Sequence, residues 1–176
     1  MKPIVSKSCR IRYPEIFKIG DYSIVDDFCY FSTRVIIGRY SHIATCSSVG
    51  GGRDYTFTLG NYCSVSSGAR IWCQSNDFVN DLIVIKPKGV HFDDHPIAGN
   101  VTIENMCGVG ANSVIMPNNR LPEGVAIGAV SFVPSHFKFK PWSVYAGIPI
   151  RFIKPRNKKN VLEQMKSFKK SFKATH

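Results

Sequence analysis

Three places in this 176-residue chain hold residue types that can move protons or cradle charge. The first is His42, followed by Gly50-Gly51-Gly52, whose amides carry no side chains and can approach a ligand closely. The second is the polar run Gln74-Ser75-Asn76-Asp77, and the third is the pair His91 and His95. Removing a proton from an attacking hydroxyl calls for a positioned base, worth roughly 10²–10⁴-fold. An amine with a pKa of about 8 needs less help, being partly unprotonated at neutral pH. Asn76 and Asp77 have the chemistry to orient an amine and take its proton, directly or through water, although turns favour the same residues. No Ser or Cys is visibly paired with a base, so no covalent intermediate is expected. No metal is expected: His42, His91 and His95 lack the spacing of a tetrahedral ligand set, and no C-x-x-C pair occurs.

A six-residue period positions these groups. Aliphatic residues or Phe recur at Ile19, Val25, Phe31, Ile37, Ile43 and Val49. The frame restarts at Leu59 and again at Ile103, running to Val133. Neither a helix nor a simple strand alternation sustains such a period; it marks an all-β fold, a parallel β-helix of short strands wound as the faces of a prism. Four residues after each start, except at Val35, Asn119 and Val125, the side chain is small, as at Ser23, Cys29, Ser41, Cys63, Ser75 and Ser131, which suits an inward-facing position at a tight corner. Gly20, Gly38, Gly60, Gly110 and Gly128 follow the aliphatic position, where a corner is expected to need positive φ. Three hexads make one turn, so the chain is expected to form about five turns spaced roughly 4.8 Å apart.

Two interruptions fall on the candidate residues: a short insertion from Gly50 to Thr58, and an excursion over residues 78–99. Loops on a rigid scaffold commonly carry binding groups. After the prism, assigned to residues 1–156, a short amphipathic C-terminal α-helix and basic tail occupy residues 157–176, with Asn160 and Glu163 as its N-cap arrangement. Much of the net charge of +11 lies there, and it reads as a solvated face with phosphate-bearing small molecules as partners. No aromatic-basic interleaving supports nucleic-acid binding. No apolar run reaches membrane-spanning length and no signal-peptide pattern is seen, so the cytoplasm is the expected compartment. The thiols are expected to be free and reduced, filling the inward column.

Four segments carry a resemblance to a known family, over about residues 16–156. These are Leu59-Gly60-Asn61-Tyr62-Cys63-Ser64-Val65, Val109-Gly110-Ala111-Asn112-Ser113-Val114-Ile115, Val125-Ala126-Ile127-Gly128-Ala129 and Trp142-Ser143-Val144-Tyr145-Ala146-Gly147-Ile148-Pro149. They resemble the hexapeptide-repeat acyltransferases, nearest to the sugar O- and N-acetyltransferases and the galactoside and xenobiotic acetyltransferase branch. The resemblance implies a left-handed β-helix, a homotrimer with active sites between subunits, and direct transfer of acetyl from acetyl-CoA to a sugar in surface polysaccharide synthesis. By motif match, Gly110, Ala111, Gly128, Ala129 and Ser131 line the pantetheine arm, and Lys154 or Arg156 faces the CoA phosphates.

The galactoside and xenobiotic branch places a general-base histidine just after the coil matching Ile71; this chain has Gln74-Ser75-Asn76-Asp77-Phe78 instead. The stretch Tyr40-Ser41-His42-Ile43-Ala44, with Val49-Gly50-Gly51 after it, resembles a segment of sialic-acid-type and bacillosamine-pathway sugar N-acetyltransferases. That likeness implies His42 beside the acetyl group, as base or as hydrogen-bond partner. It also implies Gly51 N–H as oxyanion donor, a role worth about 3–4 kcal/mol elsewhere. The base position of that group falls on Thr33. Gln74 and His95 are candidate acceptor contacts. Gln74, Asn76 and Asp77 favour an amine acceptor, and His42 keeps a hydroxyl open. Loss of the usual histidine also leaves a non-catalytic trimeric scaffold or nucleotide-sugar binder as the alternative.

Overall fold

The computed structural model describes residues 1–81, 83–85 and 87–175, with side chains through Phe172. Residues eighteen apart stack in register on the regular coils, as a six-residue rung on a three-sided coil requires, and farther apart where the insertion and the excursion intervene. On the first face, Ile24–Val25 pairs in parallel with His42–Ile43, which pairs in turn with Ser64–Val65. The series runs on through Gly108–Val109, Ala126–Ile127 and Ser143–Ala146. The second and third faces share one nine-stranded sheet, because Tyr30–Ile37 and Ser48–Leu59 run unbroken around the corner between them.

The prism has about seven turns rather than the expected five: with Ile4–Val5, seven parallel strands stack on the first face. The extra coils escape the six-residue frame for local reasons. The short 3-10 turn Pro14–Ile16 sets Ile11 and Ile19 eight residues apart, and the last coils carry the aromatic residues Phe139 and Tyr145.

Every second residue of Tyr30–Ile37 is buried, so the inward set Phe31, Thr33, Val35 and Ile37 fills the core beside Val25, Ile43 and Phe57. Each large apolar side chain so enclosed contributes about 1.5–3 kcal/mol. The small column is buried as expected at Ser23, Cys29, Ser41, Cys63, Ser113 and Ser131. Its serines are satisfied by corner carbonyls: Ser23 Oγ donates to Gly38 at 2.7 Å and Ser41 Oγ to Gly60 at 2.7 Å. Ser75 departs from the column; it is half-buried, because the chain has already left the prism there.

The glycines after the aliphatic position serve a different need from the one expected. Gly20, Gly38, Gly60, Gly110 and Gly128 are absent from the positive-φ residues; a Cβ on Gly38 would lie 2.7 Å from the Gly60 carbonyl carbon, and on Gly110 2.3 Å from Ala129 N. They allow successive coils to touch. The left-handed backbone falls two residues later, on Tyr22, Tyr40 and Tyr62, with φ of 62, 56 and 57°. Their rings stack along one corner, Tyr22–Tyr40 at 4.7 Å and Tyr40–Tyr62 at 4.9 Å.

The C-terminal helix, Lys158–Thr175, covers that ladder. It begins before the expected N-cap at Asn160, since Asn157 Oδ1 accepts the Asn160 N–H at 3.1 Å. Phe168 meets the Tyr40 ring edge-on at 5.3 Å and Phe172 meets Tyr22 at 5.6 Å. Lys158, Lys159, Lys166, Lys169 and Lys170 on it face solvent. No described helix is long and apolar enough to cross a membrane.

Candidate active site

The insertion and the excursion leave the prism at one corner, between the second and third faces. Gly50–Tyr55 is not a loose turn but part of the long strand Ser48–Leu59, whose register shifts opposite Ser32, Thr33 and Arg34. Thr33 Oγ1 ties it down by donating to the Tyr55 carbonyl at 2.7 Å. One coil on, Gln74–Ser75 pairs antiparallel with Ile97–Ala98, and Gly99 N–H donates to Cys73 O at 2.9 Å, closing the neck of the excursion.

Gly51 lies against that neck: a Cβ there would sit 2.5 Å from Cys73 Cβ, and one on Gly52 3.7 Å from Gln74 Oε1. Burial pushes the Cys73 thiol up to about 11, so it stays neutral and structural. Beyond Ser75 the chain turns at Asp77. Asn80 Nδ2 donates to Asp77 Oδ2 at 2.6 Å and Val79 N–H to Oδ1 at 3.0 Å. Those bonds, the Asn80 amide first, hold the Asp77 carboxyl below its usual range and keep it ionised. On the returning strand, His95 donates its backbone N–H to Asp81 Oδ2 at 2.6 Å, and its Nδ1 lies 3.3 Å from Asp81 Oδ1. Gly51, Gln74, Asn76, Asp77 and His95 thus gather around one neck.

His42 stands elsewhere. It belongs to the eight-stranded first face, where its Nε2 lies 2.8 Å from Asp26 Oδ2. Both side chains are close to two-fifths exposed. His42 borders a cleft of about 370 Å³ between that face and the C-terminal helix, walled also by Tyr40, Tyr62, Met106, Arg156 and Met165.

The residues assigned to the coenzyme divide in two. Gly110, Ala111, Gly128 and Ala129 form one corner in adjacent coils, with Val130 N–H donating to Ala111 O at 2.8 Å. Ser131 instead points inward: its Oγ donates to Gly128 O at 2.7 Å, its N–H to Ser113 Oγ, and its carbonyl accepts from Val114. Arg156 donates to the carbonyls of Met106 and Gly124, bracketing two coils, while Lys154 is exposed on the closing strand Arg151–Pro155. Tyr145 closes the end of the rod, packed on Phe137, Phe139 and Phe152. No cluster of metal ligands occurs among the described residues.

The sequence reading missed Asp26 and Asp81. For Asp26 the signal was available, since outward residues of neighbouring rungs on one face lie sixteen to twenty positions apart. For Asp81 none was, because nothing in an aperiodic loop says which acid folds back on which histidine.

No protein-family model matches the chain. Among curated proteins it is 34% identical over 157 residues to the dTDP-4-amino-4,6-dideoxy-D-glucose acyltransferase of Escherichia coli, covering 87% of this chain and 78% of that one. This chain belongs to the sugar acyltransferases. A probable macrolide acetyltransferase of Lysinibacillus sphaericus is 27% identical over 108 residues, covering 56% of this chain and 59% of that protein. Among solved structures, AntD is an N-acyltransferase from Bacillus cereus, determined with dTDP and 3-hydroxybutyryl-CoA. It superposes with a TM-score of 0.84 at 32% identity, over 97% of this chain and 88% of that one. The acyltransferase class and the parallel β-helix expected from the repeats are therefore borne out. In this sugar acyltransferase the irregular corner, not a catalytic histidine after Ile71, carries the polar groups.

Proposed function

We propose that this enzyme transfers acetyl, or a similarly short acyl group, from its CoA thioester to the amino group of a dTDP-linked 4-amino-4,6-dideoxyhexose. One observation carries the choice of an amine. At the neck of the excursion, the Asp77 carboxylate is held ionised by the Asn80 amide and the Val79 N–H. A fixed carboxylate charge favours an ammonium group over a hydroxyl. The E. coli relative is named for such an amino sugar, and AntD has been determined with dTDP-4-amino-4,6-dideoxyglucose and coenzyme A.

In this reading Asp77 receives the sugar ammonium, Gln74 and Asn76 orient the ring, and Gly51 N–H faces the thioester oxygen. The amine attacks the thioester directly, with no covalent enzyme intermediate. The Gly110–Ala111 and Gly128–Ala129 corner carries the pantetheine arm, with Lys154 towards the CoA phosphates. The protein works as a cytoplasmic homotrimer supplying sugars for a surface polysaccharide. Phe78, Val79 and Ile85, at 74, 90 and 80% exposure, are apolar surface for a neighbouring protomer to cover. His42 reaches the reaction only across such a boundary, being on another face of its own prism.

The test incubates the protein with acetyl-CoA and dTDP-4-amino-4,6-dideoxyglucose and measures free CoA. Thiol release that depends on the amino group is expected. Release with the 4-hydroxy sugar alone would overturn the amine assignment. Absence of any thermal stabilisation by acetyl-CoA would return the scaffold reading.

A further inference from the structure

The excursion holds a second polar pair that the acceptor site described above does not use. Asp81 is largely enclosed, with 14% of its side chain exposed, and both of its oxygens are turned on His95, one on the backbone N–H and one on the ring. A carboxylate at Nδ1 fixes the tautomer with the proton on that nitrogen and leaves Nε2 as a free lone pair. The His95 side chain is 69% exposed, so the ring projects from the neck. Continuing the antiparallel register of Ser75 with Ile97 sets Asp77 across from His95. An ammonium held by Asp77 therefore lies beside the imidazole.

We propose that His95 is the general base of acyl transfer and that Asp81 is the positioning residue that aims its Nε2 at the sugar amine; this rests on the amine-acceptor reading above. The step balances without another reactant. His95 Nε2 takes a proton from the sugar ammonium, and the freed nitrogen attacks the thioester carbonyl carbon. A C–N bond forms, the C–S bond breaks, and the departing thiolate takes the second nitrogen proton; His95 returns its own to solvent. Asp77 is unsuited to this task. Its hydrogen bonds hold it ionised and lower its basicity, whereas an imidazole, ordinarily titrating at about 6.5, is far better matched to an ammonium. The charged groups near His95 are Asp81 and Asp77, with Asp93 and Asp94 just before it in the chain.

The experiment compares wild type, His95→Gln, Asp81→Asn, Asp81→Glu and His91→Gln, using acetyl-CoA and dTDP-4-amino-4,6-dideoxyglucose over a range of pH. Wild-type kcat/KM is expected to rise through an imidazole ionisation. His95→Gln is expected to lose about 10²–10⁴-fold at neutral pH, with the KM for acetyl-CoA unchanged. That deficit narrows above the pKa of the sugar amine, where no base is required. Asp81→Asn lowers kcat with the KM for acetyl-CoA unchanged, because the ring is no longer held in aim; Asp81→Glu restores part of kcat. His91→Gln behaves as wild type. Turnover by His95→Gln equal to wild type at neutral pH, or a wild-type kcat in Asp81→Asn, would overturn the assignment while leaving the amine reading intact. A wild type inactive with the amino sugar would sink both.

Discussion

His42 and His95 each lean on an aspartate, but the ground beneath them differs. The Asp26–His42 pair sits on a prism face, His42 paired with rungs on both sides and Asp26 N–H donating to Ile43 O at 2.9 Å. The Asp81–His95 pair sits on an excursion whose ladder, among the described residues, is the two-residue match of Gln74–Ser75 with Ile97–Ala98. Rigidity alone would favour His42 as the catalytic group. Yet its carboxylate takes Nε2, and its cleft is walled by the C-terminal helix, while in the loop pair the carboxylate takes Nδ1 and the ring is 69% exposed. On the proposed reading, the prism supplies position and the corner supplies chemistry. The two regions should therefore respond to substitution in opposite ways.

The prism should answer in stability. Phe31→Ala, deep in the core, is expected to cost about 3–5 kcal/mol and lower Tm steeply in thermal unfolding. The corner should answer in rate. Asp77→Asn is expected to lower kcat/KM by roughly tenfold to a hundredfold, through loss of a charge-assisted bond to the ammonium, with Tm little changed. His42→Ala should lose less than Asp77→Asn in the same assay; the reverse order would move the acceptor site to the first face. Gly51→Ala bridges the regions, because its Cβ would overlap Cys73 Cβ. A loss of about 1–3 kcal/mol in stability, together with a rate loss, is expected.

Alkaline pH offers a milder contrast. Burial raises the thiols of Cys29 and Cys73 to about 11 from an ordinary 9.0. The folded state therefore binds these protons more tightly than the unfolded chain. Their contribution is full below pH 9 and declines as the pH rises towards 11, so Tm should fall over that window, and less so in Cys29→Ser. The smallest effect is expected on the excursion surface, where Val79→Ser should stay within about 0.5 kcal/mol for a protomer on its own.

What the sequence disclosed follows the same division. The six-residue frame made the prism legible because every rung repeats one packing problem, and Ile43, Val65 and Val109 solve it alike. The turn count slipped where the two-residue offset before Ile19 and the aromatic substitutes Phe139 and Tyr145 broke the repeat. Gly51, Gln74, Asn76, Asp77 and His95 were recognised as polar groups at interruptions, but their convergence was not visible, since residues 77 and 95 meet only through the antiparallel neck. Ser131 shows the converse: its place in the inward column already said that its side chain faces the core.

A crystal structure with dTDP-4-amino-4,6-dideoxyglucose and coenzyme A tests the central claim most directly. The account predicts the sugar nitrogen at the neck, within hydrogen-bonding distance of the Asp77 carboxylate. A nitrogen lodged beside His42, in the cleft under the C-terminal helix, would contradict it.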